Sequence, residues 1–279
     1  MFCGSCMHDN TLARALLRQG EQVTLVPTYT PIRVDEENVS QSRVLLGGLN
    51  IYLNAESRFW RWLPSWAKGW LDSPAIIRFA TRFAVSADAQ KLGRLTVALL
   101  EGEAGPEREM VREFARSMAH DIRPDVILFT NALLVGTLRD LKQEFPGPVL
   151  CFLQGDDVFL NDLVEPYRGQ ALAILRERVQ QFDGFLTHSE YYRRYMGDLL
   201  QIPLAKIHRV PLGIDLAGHT GSPQESPHQP FTVGYFARIC PEKGLHRLIE
   251  AFRLLHARHP ATRLRAGGYL GVRDQAYFD

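Results

Sequence analysis

Short apolar runs alternate with longer amphipathic stretches through most of this 279-residue chain, and this alternation is the strongest constraint on its fold. Strand-length apolar runs cover residues 23–27, 126–129, 149–153 and 184–188. Between them, apolar side chains recur at helical spacing, as at Leu172, Leu175 and Val179. A nearly all-apolar strand is buried on both faces, and helical connections provide that cover. The sequence therefore predicts an α/β fold with a parallel sheet.

The chain changes character near residue 212, which indicates a boundary between two domains. Residues 213–230 are rich in Gly, Ser, Pro and His and offer little to bury, so we interpret them as a linker between domains 1–212 and 231–279. The second domain holds a strand, a helix and the start of another strand, well below the usual ~100 residues. The first opens on a turn where a strand is expected. We therefore expect a sequence trimmed at both ends.

Composition excludes several classes of protein. The 32 basic and 31 acidic residues give a net charge of +1, so no nucleic-acid partner is expected. Four scattered cysteines argue against a disulfide scaffold and favour a reducing, cytoplasmic compartment. No run approaches the ~18 apolar residues of a spanning helix, and no secretion signal opens the chain. Cys3, Cys6 and His8 lack further ligands for zinc, so no metal is expected.

A cationic loop lies between the predicted strand 231–237 and the helix that follows it. Arg238 and Lys243 are both in this loop, directly before the helix begins. Free N–H groups and the helix dipole already favour an anion there, and two cations would strengthen that preference. Two interpretations remain open, a diphosphate-binding loop and an ordinary solvated loop.

Several motifs occur in an order that points to a known family. They are Gly4-Ser5 before the helical residues 12–16, Pro124-Asp125-Val126, Gln154-Gly155-Asp156, His188-Ser189, residues 211–215 (PLGID), and Arg238 with Lys243-Gly244. In this order they resemble the retaining, nucleotide-sugar-dependent glycosyltransferases of family 4. The resemblance implies a GT-B fold, in which an N-terminal Rossmann-like domain binds the acceptor and a C-terminal one binds the donor. It also implies that the PLGID segment is the interdomain hinge.

The resemblance assigns donor-binding roles to four residues. Arg238 and Lys243 would neutralise the diphosphate as it leaves, an arrangement that needs no metal or other cofactor. Gly4 and Ser5 would form a glycine turn where the backbone approaches sugar or phosphate, although an ordinary tight turn remains the alternative.

Acceptor-side roles follow from the same resemblance. Gln154 stands where many relatives carry a histidine near the reacting sugar; an amide can hydrogen-bond but cannot titrate, which weakens any role for it in proton transfer. Asp156, Asp157 and Asn131 are expected on the acceptor side. For the two aspartates, helix capping is the alternative.

The stretch 59–70, which begins with Phe59 and ends with Trp70, contains all four tryptophans of the chain together with basic residues. Such a mixture suits a membrane interface or a glycolipid acceptor. A packed helical insertion or lid is the alternative interpretation. The chain is therefore expected in the cytoplasm, with peripheral membrane contact as an open alternative.

The chain departs from the family at its C-terminus. Relatives carry two glutamates, seven residues apart, that contact the donor, and this sequence ends before that region. We therefore expect little transferase activity from the 279 residues alone. The predicted function is transfer of a sugar, with retention, from a nucleotide sugar to a hydroxyl of a polysaccharide, glycolipid or small molecule. A catalytically silent module that binds an acceptor or a partner is the alternative.

Overall fold

The computed structural model describes residues 4–29, 31–32, 34, 36–42, 44–46, 89–216, 218, 221, 230–271 and 274–279. The chain divides into two compact units, Met1–Asp215 and Leu216–Asp279. This division falls near the predicted linker, but the acceptor and donor roles of the two domains stay predictions.

A parallel sheet is the centre of unit 1. In the described part of this unit it has four strands, in the order in which they occur along the chain. They are β1 (Ile127–Phe129), β2 (Val149–Phe152), β3 (Gly184–Thr187) and β4 (Ile207–Arg209). Ile127 is opposite Val149, and Phe185 is opposite Ile207. Because all the pairings are parallel, the carboxyl ends of these strands lie at one edge.

Helices connect and cover these strands. They are α1 (Gly4–Arg18), α2 (Ala89–Leu100), α3 (Arg108–Arg116), α4 (Leu138–Glu144), α5 (Asp156–Asn161), α6 (Tyr167–Arg178) and α7 (Glu190–Leu200). A π-helical turn (Ser117–Ile122) continues α3, and a 3-10 segment (Ala132–Thr137) follows β1. The sheet core, with Val149, Cys151 and Phe185 fully buried, packs against apolar side chains of these helices. The prediction of an α/β fold with a parallel sheet is confirmed, and the fold of unit 1 is Rossmann-like.

Helix α2 makes a close contact with the 3-10 segment after β1. A Cβ atom at Gly136 would overlap the carbonyl oxygen of Leu99, and one at Gly102 would overlap the carbonyl oxygen of Gly136. Gly102 also has a φ of +55°, which disfavours other residues. Next to this contact, Arg178 donates to both carboxylate oxygens of Glu103 at 2.8 and 3.0 Å. Glycine at two facing positions thus allows the backbones to touch.

Unit 2 is smaller. Its described residues form the parallel pair β5 (Thr232–Phe236) and β6 (Arg263–Gly267), connected by helix α8 (Leu245–Arg258), and end with a short helix α9 (Gln275–Phe278). Thr232 pairs with Arg263 and Phe236 with Gly267. A strand, helix and parallel strand in sequence make one βαβ unit.

Most predicted elements appear within a few residues of their expected bounds, and one does not. Residues 23–27 were expected to form a buried strand, but Leu25 makes only a single bridge, to Ser40. An apolar pattern produces a strand only where a neighbour supplies a row of backbone partners. The stretch 59–70 lies outside the described residues, so its two interpretations stay open. Among the described helices, none is both long and apolar enough to cross a membrane.

We predict that Gly136→Ala lowers the free energy of unfolding by roughly 1–3 kcal/mol, because the new methyl group overpacks the contact with Leu99. Gly213→Ala is the control: a Cβ there meets no atom within 4 Å, and its effect should stay below about 1 kcal/mol. Urea unfolding followed by far-UV circular dichroism measures both. Equal effects of the two substitutions would contradict the proposed close contact.

Candidate functional site

Polar side chains from distant parts of unit 1 meet at the carboxyl edge of its sheet. We call this group the carboxyl-edge cluster, and its members are His8, Asp9, Asn131, Gln154, Asp156, Asp157, His188 and Tyr192. They come from α1, from the loops after β1, β2 and β3, and from the first turns of α5 and α7. Ligands of open parallel α/β sheets bind at this edge, which makes the cluster the candidate site.

Asp156 holds the loops after β1 and β2 together. It is 2% exposed, and its two carboxylate oxygens accept hydrogen bonds from the backbone N–H groups of Ala132 at 2.7 Å and Gln154 at 3.0 Å. Burial raises the pKa of Asp156 to about 6, against the opposing effect of these donors. The carboxylate faces the protein backbone, so the structure favours a structural role for it. Its predicted contact with the acceptor stays a prediction.

Asn131 is also engaged locally. Its backbone is extended, with φ −160°, and its side-chain oxygen accepts from Leu133 N at 3.0 Å. It therefore caps the 3-10 segment, as asparagine commonly does at helix starts. Its predicted acceptor-side role is untested.

Asp157 is held in place by a hydrogen bond from Tyr192. The Tyr192 hydroxyl donates to Asp157 Oδ1 at 2.5 Å and accepts from Gly155 N at 2.8 Å. Burial, and then the hydrogen bond to Asp157, raise the pKa of Tyr192 well above its usual value, so the hydroxyl remains a donor. Gly155 has a φ of +88°, a conformation that suits glycine where the chain turns into α5. Tyr192 thus fixes both this turn and the second aspartate.

Gln154 connects the sheet edge to helix α1. Its Nε2 donates to Thr130 O at 2.9 Å and to Asp9 Oδ1 at 3.2 Å. The same Asp9 oxygen lies 3.0 Å from His8 Nδ1. Gln154 therefore acts through Asp9 on a histidine, although the amide itself cannot titrate. Its predicted catalytic role stays a prediction.

Two histidines and a phenylalanine form an aromatic group beside these polar contacts. The ring centroids of His8 and His188 are 4.7 Å apart at 70°, and those of His8 and Phe152 are 5.1 Å apart at 83°. His188 Nδ1 is 3.0 Å from the carbonyl oxygen of Val210, while its buried Nε2 has no hydrogen-bond partner among the described residues. Edge-to-face packing of this kind fixes ring orientation.

Gly4 and Ser5, predicted to approach the donor, are the first two residues of α1. Gly4 is exposed, and a Cβ atom there would meet nothing within 4 Å. Sterics therefore do not require glycine at this position. The predicted contact with the diphosphate remains untested.

Arg238 and Lys243 lie in unit 2, at the carboxyl end of β5. Arg238 donates through Nε to Cys240 Sγ at 3.2 Å, and its Nη2 is 3.7 Å from Glu242 Oε2. Lys243 is exposed at the end of a 3-10 turn (Pro241–Lys243). Gly244, with φ +70°, is the N-cap of α8. Lys243 thus lies directly before the capped N-terminus of a 14-residue helix, and Arg238 lies earlier in the same loop.

No metal-binding arrangement occurs in the ranges of the chain that the structure describes: no three His, Cys, Asp or Glu side chains are grouped to hold an ion. The prediction that no metal is needed stays a prediction. Asp156 and Asp157 also form no carboxylate pair for a metal ion, because each is hydrogen-bonded to different partners.

Sequence reasoning missed Asp9 and Tyr192, and it considered His8 only as a zinc ligand. Asp9 and Tyr192 act through partners 145 and 35 residues away, so spacing carries no signal for them. His188 was part of an ordered motif but had no assigned role. No family model matches the chain, and no match was found among curated proteins.

We predict that Asp156→Asn removes a pH dependence of stability. The pKa of Asp156 is raised from 3.8 to about 6 in the folded state, so folding favours the protonated carboxyl. The contribution of Asp156 to the free energy of unfolding is therefore largest below about pH 4 and is lost as the pH rises to about 6. The loss is on the order of 3 kcal/mol. Urea unfolding at several pH values should therefore show a flatter profile for the variant.

Asp125→Asn, at an exposed aspartate, is the control and should leave the profile of the wild-type chain unchanged. If Asp156→Asn retains the wild-type slope between pH 4 and 6, the buried carboxylate does not titrate as stated.

Proposed function

We propose that this chain belongs to a glycosyltransferase that transfers a sugar, with retention, from a nucleotide sugar to a hydroxyl acceptor. The proposal includes a GT-B fold and membership of glycosyltransferase family 4. The observation that carries it is a contrast between two sheet edges. The carboxyl-edge cluster of unit 1 is rich in carboxylates and imidazoles, whereas the corresponding edge of unit 2 has two cations before a helix.

The chemistry of the two edges suits the two substrates of such a reaction. Carboxylates and neutral imidazoles accept hydrogen bonds, which is what the hydroxyl groups of an acceptor donate. Guanidinium, ammonium and helix N–H groups bind a diphosphate. The ordered motifs of the sequence support the same assignment, since Gln154, Asp156, His188, Arg238 and Lys243 fall in these two places.

The proposed mechanism is electrostatic at the leaving group. Arg238 and Lys243 neutralise the charge that develops on the diphosphate as its bond to the sugar breaks. Retention follows from the resemblance, and the proposed displacement occurs on one face of the sugar, with the departing diphosphate taking the acceptor proton. Metal is not required for this neutralisation. The nucleotide sugar is a substrate and not a resident cofactor.

We predict that Arg238→Glu with Lys243→Glu weakens binding of a nucleoside diphosphate at least about tenfold, because each lost charge-assisted hydrogen bond is worth about 1.5–3 kcal/mol. Titration calorimetry with UDP, GDP and ADP measures the affinity of the full chain. The control is Arg253→Glu with Arg258→Glu, which makes the same change in charge at exposed positions of α8.

Equal effects of the two double variants would contradict the diphosphate site. If the wild-type chain binds none of the three nucleotides, the catalytically silent binding module becomes the better interpretation.

A further inference from the structure

The hydrogen bond between His8 and Asp9 determines which ring nitrogen of His8 carries a proton. His8 Nδ1 lies 3.0 Å from Asp9 Oδ1. An ionised carboxylate can only accept, so Nδ1 must be the donor. In the neutral imidazole the lone pair is therefore on Nε2. A carboxylate partner of this kind is a common way to fix the tautomer of a functional histidine.

Asp9 is itself held in place. Gln154 donates to the same Asp9 oxygen at 3.2 Å and is anchored on the carbonyl of Thr130 at 2.9 Å. The ring plane of His8 is fixed by its edge contacts with Phe152 and His188. The His8 ring is thus oriented by α1, by the loops after β1 and β3, and by β2 and the loop after it. Such convergence is typical of a residue with a defined task at a site.

The Nε2 atom of His8 has no hydrogen-bond partner in the part of the chain that the structure describes, and 13% of the side-chain surface is exposed. The His188 ring, which packs against that of His8, is in a similar state: its Nδ1 donates to Val210 O, and its buried Nε2 has no partner among the described residues. Of the two nitrogens, only His8 Nε2 belongs to a side chain with exposed surface, since His188 Nε2 is buried. A hydroxyl group can donate a hydrogen bond to this lone pair, whereas an anion cannot.

We propose that His8 binds the acceptor, with Nε2 accepting a hydrogen bond from one of its hydroxyl groups; this assignment of a ligand rests on the proposed function. Gln154 and Asp9 are positioning residues that act through His8. The ligand class is a polyhydroxylated compound such as a glycoside or a cyclitol. Binding at this nitrogen orients the acceptor.

The proposal requires neutral His8, because a proton on Nε2 would remove the acceptor. Among the described residues, the titratable groups in contact with His8 are Asp9 on α1 and His188 after β3. The end of β2 presents uncharged Phe152, and Gln154 after it is also uncharged. His188 packs against the His8 ring, so it needs its own variant.

The experiment measures binding of methyl α-D-glucopyranoside, methyl α-D-mannopyranoside and myo-inositol to the full chain by NMR, with the ¹⁵N signals of the histidine rings as the site-specific readout. We expect at least one compound to shift the Nε2 signal of His8. His8→Phe keeps an aromatic ring but has no acceptor, and it should weaken binding at least about fivefold. His8→Gln retains an acceptor oxygen, so it should bind the compound more tightly than His8→Phe does.

Two further variants serve as controls. His120→Gln changes an exposed histidine that pairs with Glu144, and binding should stay within twofold of the wild-type value. His188→Gln separates the contribution of the second histidine to binding from that of His8. Thermal unfolding of every variant checks that the fold is retained. If His8→Phe does not fold, the shift of the His8 Nε2 signal on addition of the compound to the wild-type chain still decides the question: no shift would overturn the proposal.

The outcomes separate this proposal from the transferase function. If the compounds bind the wild-type chain and His8→Phe equally, or if no compound binds, the role of His8 is wrong, whatever the nucleotide titrations show. If glycoside binding depends on His8 while nucleoside diphosphates bind nowhere, the hydroxyl site stands and the transferase proposal fails.

Discussion

The buried carboxylate of Asp156 is the contact on which the geometry of the candidate site depends. It joins the loops after β1 and β2 by accepting from one backbone N–H in each. A charge buried this deeply is costly unless it is hydrogen-bonded, so these two donors are required for it to stay ionised. Because the two loops are joined, the backbone positions of Asn131, Gln154 and Asp157 are fixed as well.

Helix α1 is brought to the same edge by a residue that carries no charge. Gln154 bridges Thr130 and Asp9, and in this way connects residues 145 positions apart. A histidine at this position would have presented an imidazole to the site directly. Here the amide holds the Asp9 carboxylate, and the imidazole comes from His8 on a different element. One imidazole of the carboxyl-edge cluster is thus supplied by the first helix.

The fold was largely predictable, and particular residues show why. The runs that became β2 and β3 are almost entirely apolar, and a strand buried on both faces leaves that pattern in any sequence. The run at residues 23–27 has a similar pattern but makes only the bridge from Leu25 to Ser40, because pairing depends on a neighbouring strand that periodicity cannot supply. Glycine at positions 102 and 136 serves a contact between distant backbones, which no local pattern predicts.

The site was predictable only where residue type and order carry information. Arg238 and Lys243 were singled out because cations before a helix have a recognisable chemistry, and Gln154 and Asp156 because they belong to the ordered motifs of the sequence; the roles of all four stay predictions. Asp9 and Tyr192 gain their roles from single hydrogen bonds to residues far along the chain. Asp9 lies in the second turn of α1 and Tyr192 in the first turn of α7, and neither position distinguishes a positioning residue from an ordinary one.

The way in which the carboxylates of unit 1 are held affects how the two units respond to ionic strength. Among the described residues, no lysine or arginine pairs with Asp9, Asp156 or Asp157; N–H and O–H groups hold them instead. Short-range dipolar contacts of this kind are little screened by dissolved ions, whereas attraction between exposed cations and an anion is screened strongly. Concentrated salt should therefore leave the carboxyl-edge cluster intact while it weakens the attraction of an anion to Arg238 and Lys243.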